Sequence, residues 1–140
     1  MMLYIYNNNN LTDVVYKESI DKVEKTALSV VKALCQKELF SYESRIKYTK
    51  EHLDIKTKVP IYINEKTLLM PSQSPKRYDN YWINYFEVFS HQKYLDKTLI
   101  LFTNLKEIEL NISYNNFLKM IEKAEMVEEY MLERLLDLGI

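Results

Sequence analysis

From Asn115 to Leu138 the chain runs without a proline or a glycine, and its apolar residues recur at helical spacing. Phe117, Ile121, Ala124, Met131, Leu135 and Leu138 follow one another at steps of four, three and seven, which gathers them on one stripe of a long α-helix. Ser113 stands where an N-cap is wanted and Gly139 where a helix stops. A helix with a single apolar stripe has to lie on something. Tyr114 and Phe117 read as the element that docks it on a sheet.

The preceding segments supply that sheet. Lys58-Val59-Pro60-Ile61-Tyr62-Ile63 is rich in β-formers, and Asn64-Glu65-Lys66 turns the chain into Thr67 to Met70, which predicts a hairpin. Tyr81 to Phe89 and Thr98 to Phe102 read as strands, and Thr103-Asn104-Leu105-Lys106 turns into Glu107 to Ile112. The sheet is expected to be antiparallel. Pro71 to Asn80, with two prolines and almost nothing apolar, reads as an exposed loop. Ahead of these, Leu3 to Tyr6 predicts a short strand, followed by a turn at Asn7 to Asn10, and this start is expected to fray. Val23 to Leu34 predicts a first helix, and Tyr42 to Leu53 a second, basic one. No internal repeat or long linker divides the chain. The expectation is an α+β fold, one domain over residues 1–140, with an antiparallel β-sheet, N-terminal helices and a long C-terminal helix.

Several function classes lose their footing on residue counts alone. Gly139 is the only glycine, so no glycine-rich phosphate loop can be written. Cys35 is the only cysteine, which removes an internal disulfide or a thiol-rich metal site, and a buried inert thiol is expected. His52 and His91 lack metal-site spacing. Neither histidine belongs to a local nucleophile motif, and Glu128-Glu129 falls on the exposed side of the last helix. No enzyme, metal or cofactor is expected. The apolar runs Leu68 to Met70 and Thr98 to Phe102 fall far short of the roughly 20 residues that span a bilayer. Met1 to Tyr6 carries no basic region of a secretory signal. A cytoplasmic protein with no membrane contact is the reading.

The net charge of −1 hides a division along the chain. Ser41 to Arg77 holds eight basic residues against four acidic ones, whereas Lys106 to Ile140 holds eight acidic against four basic. This pattern suits a cationic surface for an anionic polymer, and an acidic helix free to meet protein partners. Charge alone does not separate it from two ordinary solvated faces.

One segment is more specific. Phe102-Thr103-Asn104, followed by Leu110-Asn111-Ile112-Ser113-Tyr114-Asn115-Asn116-Phe117, resembles the C-terminal signature of the ComK family, the competence transcription factors of Gram-positive bacteria. Lys58-Val59-Pro60-Ile61 looks like the family's K-x-P-I strand, and Pro71, Ser74, Arg77, Trp82 and Ile83 look like its P-x-x-S-x-x-R loop running into W-I. Ser41-Tyr42, Arg45 and Cys35 extend the series, which covers about half of the chain. Where the family commonly has a glycine after the asparagine of its hairpin, this chain has Leu105, which calls for a different or looser turn. Longer members continue well beyond the helix that follows the signature, while this chain ends at Ile140.

The resemblance implies an activator of DNA-uptake and recombination genes that binds AT-rich double-stranded DNA as a homodimer or higher homo-oligomer. Contacts with RNA polymerase or with an adaptor for proteolysis are further partners it implies. A narrow AT-rich minor groove attracts inserted arginine or lysine. Arg77, with Lys76 beside it in a proline-containing loop short of acidic partners, is the candidate for that groove. Arg45, Lys47, Lys50, Lys56 and Lys58 are candidates for phosphates, which position a protein without reading sequence. Asn115, near a helix start, is a further DNA candidate, although capping suits it as well. Arg45 has a competing reading as the partner of Glu43 or Asp54, and Trp82 reads as core. The alternative function is a ComK-like protein-interaction or regulatory variant without DNA binding, working through its acidic last helix.

Overall fold

The computed structural model describes residues 1–138, so the Gly139 stop lies outside the described residues. In chain order the elements are strands β1 (Met2–Asn8), β2 (Leu11–Tyr16) and β3 (Ile20–Val23), helices α1 (Ala27–Lys37) and α2 (Tyr42–Leu53), strands β4 (Ile61–Asn64), β5 (Thr67–Pro71) and β6 (Tyr81–Asn84), a 3-10 turn (Tyr85–Glu87), strands β7 (Val88–Tyr94), β8 (Lys97–Phe102) and β9 (Glu107–Leu110), and helix α3 (Tyr114–Leu138). All strand pairs are antiparallel. They form a six-stranded sheet in the order β3-β2-β1-β6-β5-β4 and a three-stranded sheet in the order β7-β8-β9.

Neighbouring residues on the central strands are apolar in succession, and the six-stranded sheet buries both faces accordingly. Leu68, Met70 and Ile83 point into one cluster with Ile100, Phe102, Phe117, Ala124 and Val127. Leu69, Trp82, Ile61 and Ile63 point into another with Ala27, Val30, Val31 and Cys35. One face therefore carries the small sheet and α3, and the other carries α1. In β1 the pairing with β2 shifts between Met2 and Tyr4. The extra residue sends both Leu3 and Tyr4 to the first face while Met2 and Ile5 serve the second, as a bulge should. Cys35 is fully buried, and burial pushes its thiol up to about 11, so it stays a protonated, unreactive packing group.

The two sheets meet where β6 leaves the first one. The amide of buried Asn84 accepts from the backbone N–H of Leu68 (3.1 Å) and Phe86 (3.3 Å), and donates to the carbonyls of Met2 (2.8 Å) and Lys66 (3.0 Å). Both hydrogens and both lone-pair directions are used, tying β1, β5 and the 3-10 turn to one side chain. Three residues on, the carboxylate of buried Glu87 pairs with Lys17 (3.0 Å) and accepts from the Thr103 hydroxyl (2.6 Å). Asn104 donates to the Lys17 carbonyl (3.0 Å), so the β8–β9 turn is fastened to the end of β2.

Several expectations change. The start of the chain is not frayed: β1 lies between β2 and β6, and Leu3 and Ile5 are fully buried. Strands β2 and β3 were hidden because their polar residues break the alternation: Thr12 and Asp13 are buried on hydrogen bonds instead. Val23 belongs to β3, and the first helix starts only at Ala27, capped by Thr26, whose hydroxyl accepts from Ser29 N–H at 3.2 Å. The predicted strand Tyr81 to Phe89 is cut by the 3-10 turn, because Asn84 bonds the Phe86 amide that a straight strand would present sideways. Pro71, Ser72 and Asn80 at the ends of the predicted loop are buried. On α3, Leu135 is 55% exposed and not part of the packed stripe. Leu105 takes a left-handed conformation itself (φ 70°), so the turn is retained in spite of the leucine.

Two stability measurements check this frame. Asn84→Ala strands four backbone partners, those of Leu68 and Met2 buried and those of Lys66 and Phe86 partly so, and is expected to cost about 3 kcal/mol in urea unfolding. Leu105→Gly removes a Cβ clash of roughly 1–2 kcal/mol against an entropy penalty of about 0.5–1 kcal/mol, so the glycine variant should unfold at higher denaturant.

Candidate nucleic-acid interface

The cationic side chains singled out in the sequence separate into distinct places. Helix α2 starts at Ser41, whose hydroxyl accepts from Ser44 N–H (3.2 Å), and ends at Asp54 in the left-handed region (φ 54°). It buries no residue fully. Lys47 and Lys50 on it are exposed, with the Lys47 ammonium 5.5 Å from the Tyr48 ring. Arg45 is different. Its guanidinium donates to the Tyr62 carbonyl (2.8 Å) and lies 3.8 Å from the centre of the Phe40 ring, between α2 and the edge strand β4. Burial pulls its pKa below the ordinary value. Neither Glu43 nor Asp54 pairs with it: Glu43 pairs with Lys32 (3.1 Å). A half-buried guanidinium that satisfies a carbonyl at the sheet edge holds α2 in place.

Beyond α2, the connector to β4 is pinned by buried Ile55 and Val59 and presents Lys56, Thr57 and Lys58 between them. Lys58 adopts φ 48°, a left-handed conformation that costs a residue with a Cβ. The Lys123 ammonium of α3 donates to the Thr57 carbonyl (2.7 Å), which brings a cation from the acidic segment beside this basic connector. The sequence reading missed this. The signal was available: Lys119 and Lys123 are four apart, and no acid stands three or four residues from Lys123.

The β5–β6 loop carries Lys76 and Arg77 elsewhere, and its Pro75, Lys76 and Tyr78 line a depression with Asn7, Thr26 and Leu28. It is held rigidly. Arg77 N–H donates to the Ser74 carbonyl (2.9 Å), the Tyr78 hydroxyl to the Asn9 carbonyl (2.9 Å), and Asn7 Nδ2 to the Tyr78 carbonyl (3.0 Å). The loop is not short of acidic partners: the Arg77 guanidinium makes two 2.9 Å bonds to the Asp79 carboxylate. Both side chains remain more than half exposed, so this pair is worth at most about 1 kcal/mol and exchanges readily for another anion. Asn115 is exposed on the first turn of α3. The capping there is done by Ser113, whose hydroxyl accepts from Asn116 N–H (3.2 Å).

Among the described residues, no group of three or more His, Cys, Asp or Glu is arranged to hold a metal ion. Among these residues, too, no helix is long and apolar enough to cross a membrane. The family model described as ComK protein matches residues 1–135. The chain belongs to the ComK family. The match takes in β1 to α1, beyond the half in which the signature was legible. No curated protein and no solved structure matches the chain.

The ComK signature of this chain is mainly structural. Phe102 and Phe117 are fully buried, Asn104 bonds both the Lys106 amide and the Lys17 carbonyl, and Tyr114 shares a 2.9 Å hydrogen bond with His91 of β7. Trp82 is buried core and meets Tyr42 edge-on. Of the signature residues with a charge, Arg45 is structural, whereas Arg77 on the β5–β6 loop and Lys58 on the connector before β4 project cations from backbone that is pinned on both sides. Arg45→Ala should therefore lower stability by about 1.5–3 kcal/mol in chemical denaturation, the worth of a charged hydrogen bond.

Proposed function

We propose that this ComK-family chain is a cytoplasmic, cofactor-free DNA-binding activator of competence genes that recognises AT-rich promoter boxes as a homodimer or higher homo-oligomer. The observation that carries the reading is the Lys76-Arg77 loop, in a chain whose family consists of competence transcription factors. A guanidinium fixed at the tip of a hydrogen-bonded loop enters a narrow groove with little loss of conformational entropy, and the electronegative AT-rich minor groove is the site such a cation prefers. Lys47, Lys50, Lys56 and Lys58 serve phosphates in this reading, while Arg45 keeps the helix beneath them in place. Exposed Asn115 is available to a phosphate or a groove acceptor.

A second reading has an observation of its own. Leu132, Leu135 and Leu136 are all more than half exposed on the last turns of α3, on a helix rich in glutamate. Such a surface suits a protein contact, either with a second copy or with a regulatory or transcription partner such as RNA polymerase or a proteolytic adaptor. It supports self-association in the first reading, and it becomes the main working surface if DNA binding is absent.

Fluorescence anisotropy with an AT-rich duplex, titrated against salt, separates the two. Wild type is expected to bind tightly and salt-sensitively, and Arg77→Ala to weaken binding by roughly tenfold or more, in line with a loss of about 1–3 kcal/mol for a groove contact. Asp79→Asn releases the guanidinium from its internal partner and should tighten binding several-fold. Absence of binding at low salt, with stable oligomers, would favour the protein-interaction reading.

A further inference from the structure

Helix α3 is acidic over its length, yet its second and third turns carry Lys119 and Lys123 on one face, against a connector that carries Lys56 and Lys58. The two groups are held together by the bond from Lys123 Nζ to the Thr57 carbonyl, 2.7 Å long. Among the described residues none of these four lysines forms an ion pair. Lysines four apart on a helix repel one another, and a glutamate at either position would relieve this. Burial lowers the Lys123 pKa from its ordinary value, and the nearby charges that add to the effect are Lys58 and Lys119, both cationic. The connector is not free to relax, because Ile55 and Val59 are buried on either side of it and Lys58 is held in a left-handed conformation. Positive charges concentrated by a rigid frame, with no carboxylate at ion-pair distance among the described residues, await an external anion.

We infer that Lys119 and Lys123 of α3, together with Lys56 and Lys58 of the α2–β4 connector, form a phosphate-contacting patch for the DNA backbone, separate from the Arg77 loop. The inference rests on the DNA-binding reading and adds to it. Compact ammonium groups spread over a helix and a loop match a row of singly charged phosphodiesters, which they position without reading bases. Thr57 contributes by its carbonyl, which orients Lys123 while leaving two of the three ammonium hydrogens for phosphate. Exposed Asn116, one turn before Lys119, extends the same face with an uncharged donor.

The test compares full-length wild type with Lys119→Gln/Lys123→Gln on AT-rich and GC-rich duplexes over a range of salt. Each lost phosphate contact reduces the slope of log K against log salt by about 0.9, so the double variant should lose roughly 2 from its slope. The ratio of AT-rich to GC-rich affinity should stay as in wild type. An unchanged slope, with wild type binding normally, would overturn the patch and leave the DNA reading standing. A changed base preference at constant slope would also overturn it, since it would make these residues readers. If wild type binds neither duplex, the DNA reading fails and the patch with it. Circular dichroism checks folding. Should the double variant unfold, Lys119→Gln alone, which breaks no hydrogen bond of the fold, should shift the slope by about 1.

Discussion

Everything in this fold that faces solvent with purpose hangs on a change of direction at Asn84. A strand buried on both faces cannot simply bend, because a bend exposes N–H and C=O groups that the ladder had satisfied. One carboxamide with four partners removes that difficulty: it takes over the hydrogen bonds of Leu68 and Phe86 and reaches across to Met2 and Lys66. Glu87 then fixes the second sheet by pairing with Lys17 and Thr103. These two buried polar residues add direction to the apolar packing of Ile100 and Phe102 against Leu68, Met70 and Ile83, and so help to set the floor on which Phe117 and Ala124 of α3 are packed.

The cationic surface depends on this frame at each point. The β5–β6 loop is rigid because its flanks are buried at Pro71 and Asn80 and its tip is bonded to Asn7 and Asn9 of the β1–β2 hairpin. The connector before β4 is rigid because Ile55 and Val59 sink into the first core cluster. Helix α2, which buries no residue fully, is held through Arg45 to Tyr62 and Phe40. A net charge of only −1 and strong local charge are thus compatible, because exposed bases gather on backbone that buried neighbours hold in place.

The sequence made the α+β class, the antiparallel pairing and the two later helices legible, because α3 has an uninterrupted helical period and β4–β5 a plain hairpin signal. It hid β2 and β3, since Thr12 and Asp13 look like solvent-facing residues and are buried because the Lys25 carbonyl takes the Thr12 hydroxyl while Asn8 and Lys22 satisfy Asp13. The ComK signature was legible as a pattern but silent about roles. Arg45 and Arg77 look alike in sequence, and only the carbonyl of Tyr62 and the ring of Phe40 distinguish a structural cation from an available one. The Arg77 partner Asp79 stands two residues downstream, just outside the basic stretch Ser41 to Arg77. Lys119 and Lys123 were concealed by the acids around them, and became visible when Thr57 supplied the long-range contact.

The place of β1 in the larger sheet sets a problem of timing. Strands β1, β2 and β3 form a meander from neighbouring sequence, but the other edge of β1 is covered only when Tyr81–Ile83 arrives. On a ribosome adding roughly 5–20 residues each second, that edge waits on the order of ten seconds, bearing the fully apolar Leu3 and Ile5. For that interval the nascent chain displays an open, adhesive strand edge of the kind that recruits chaperones or other nascent chains. Its safe synthesis is governed by events nearly eighty residues away, and the segment that closes the sheet belongs to the same stretch of chain as Asn84.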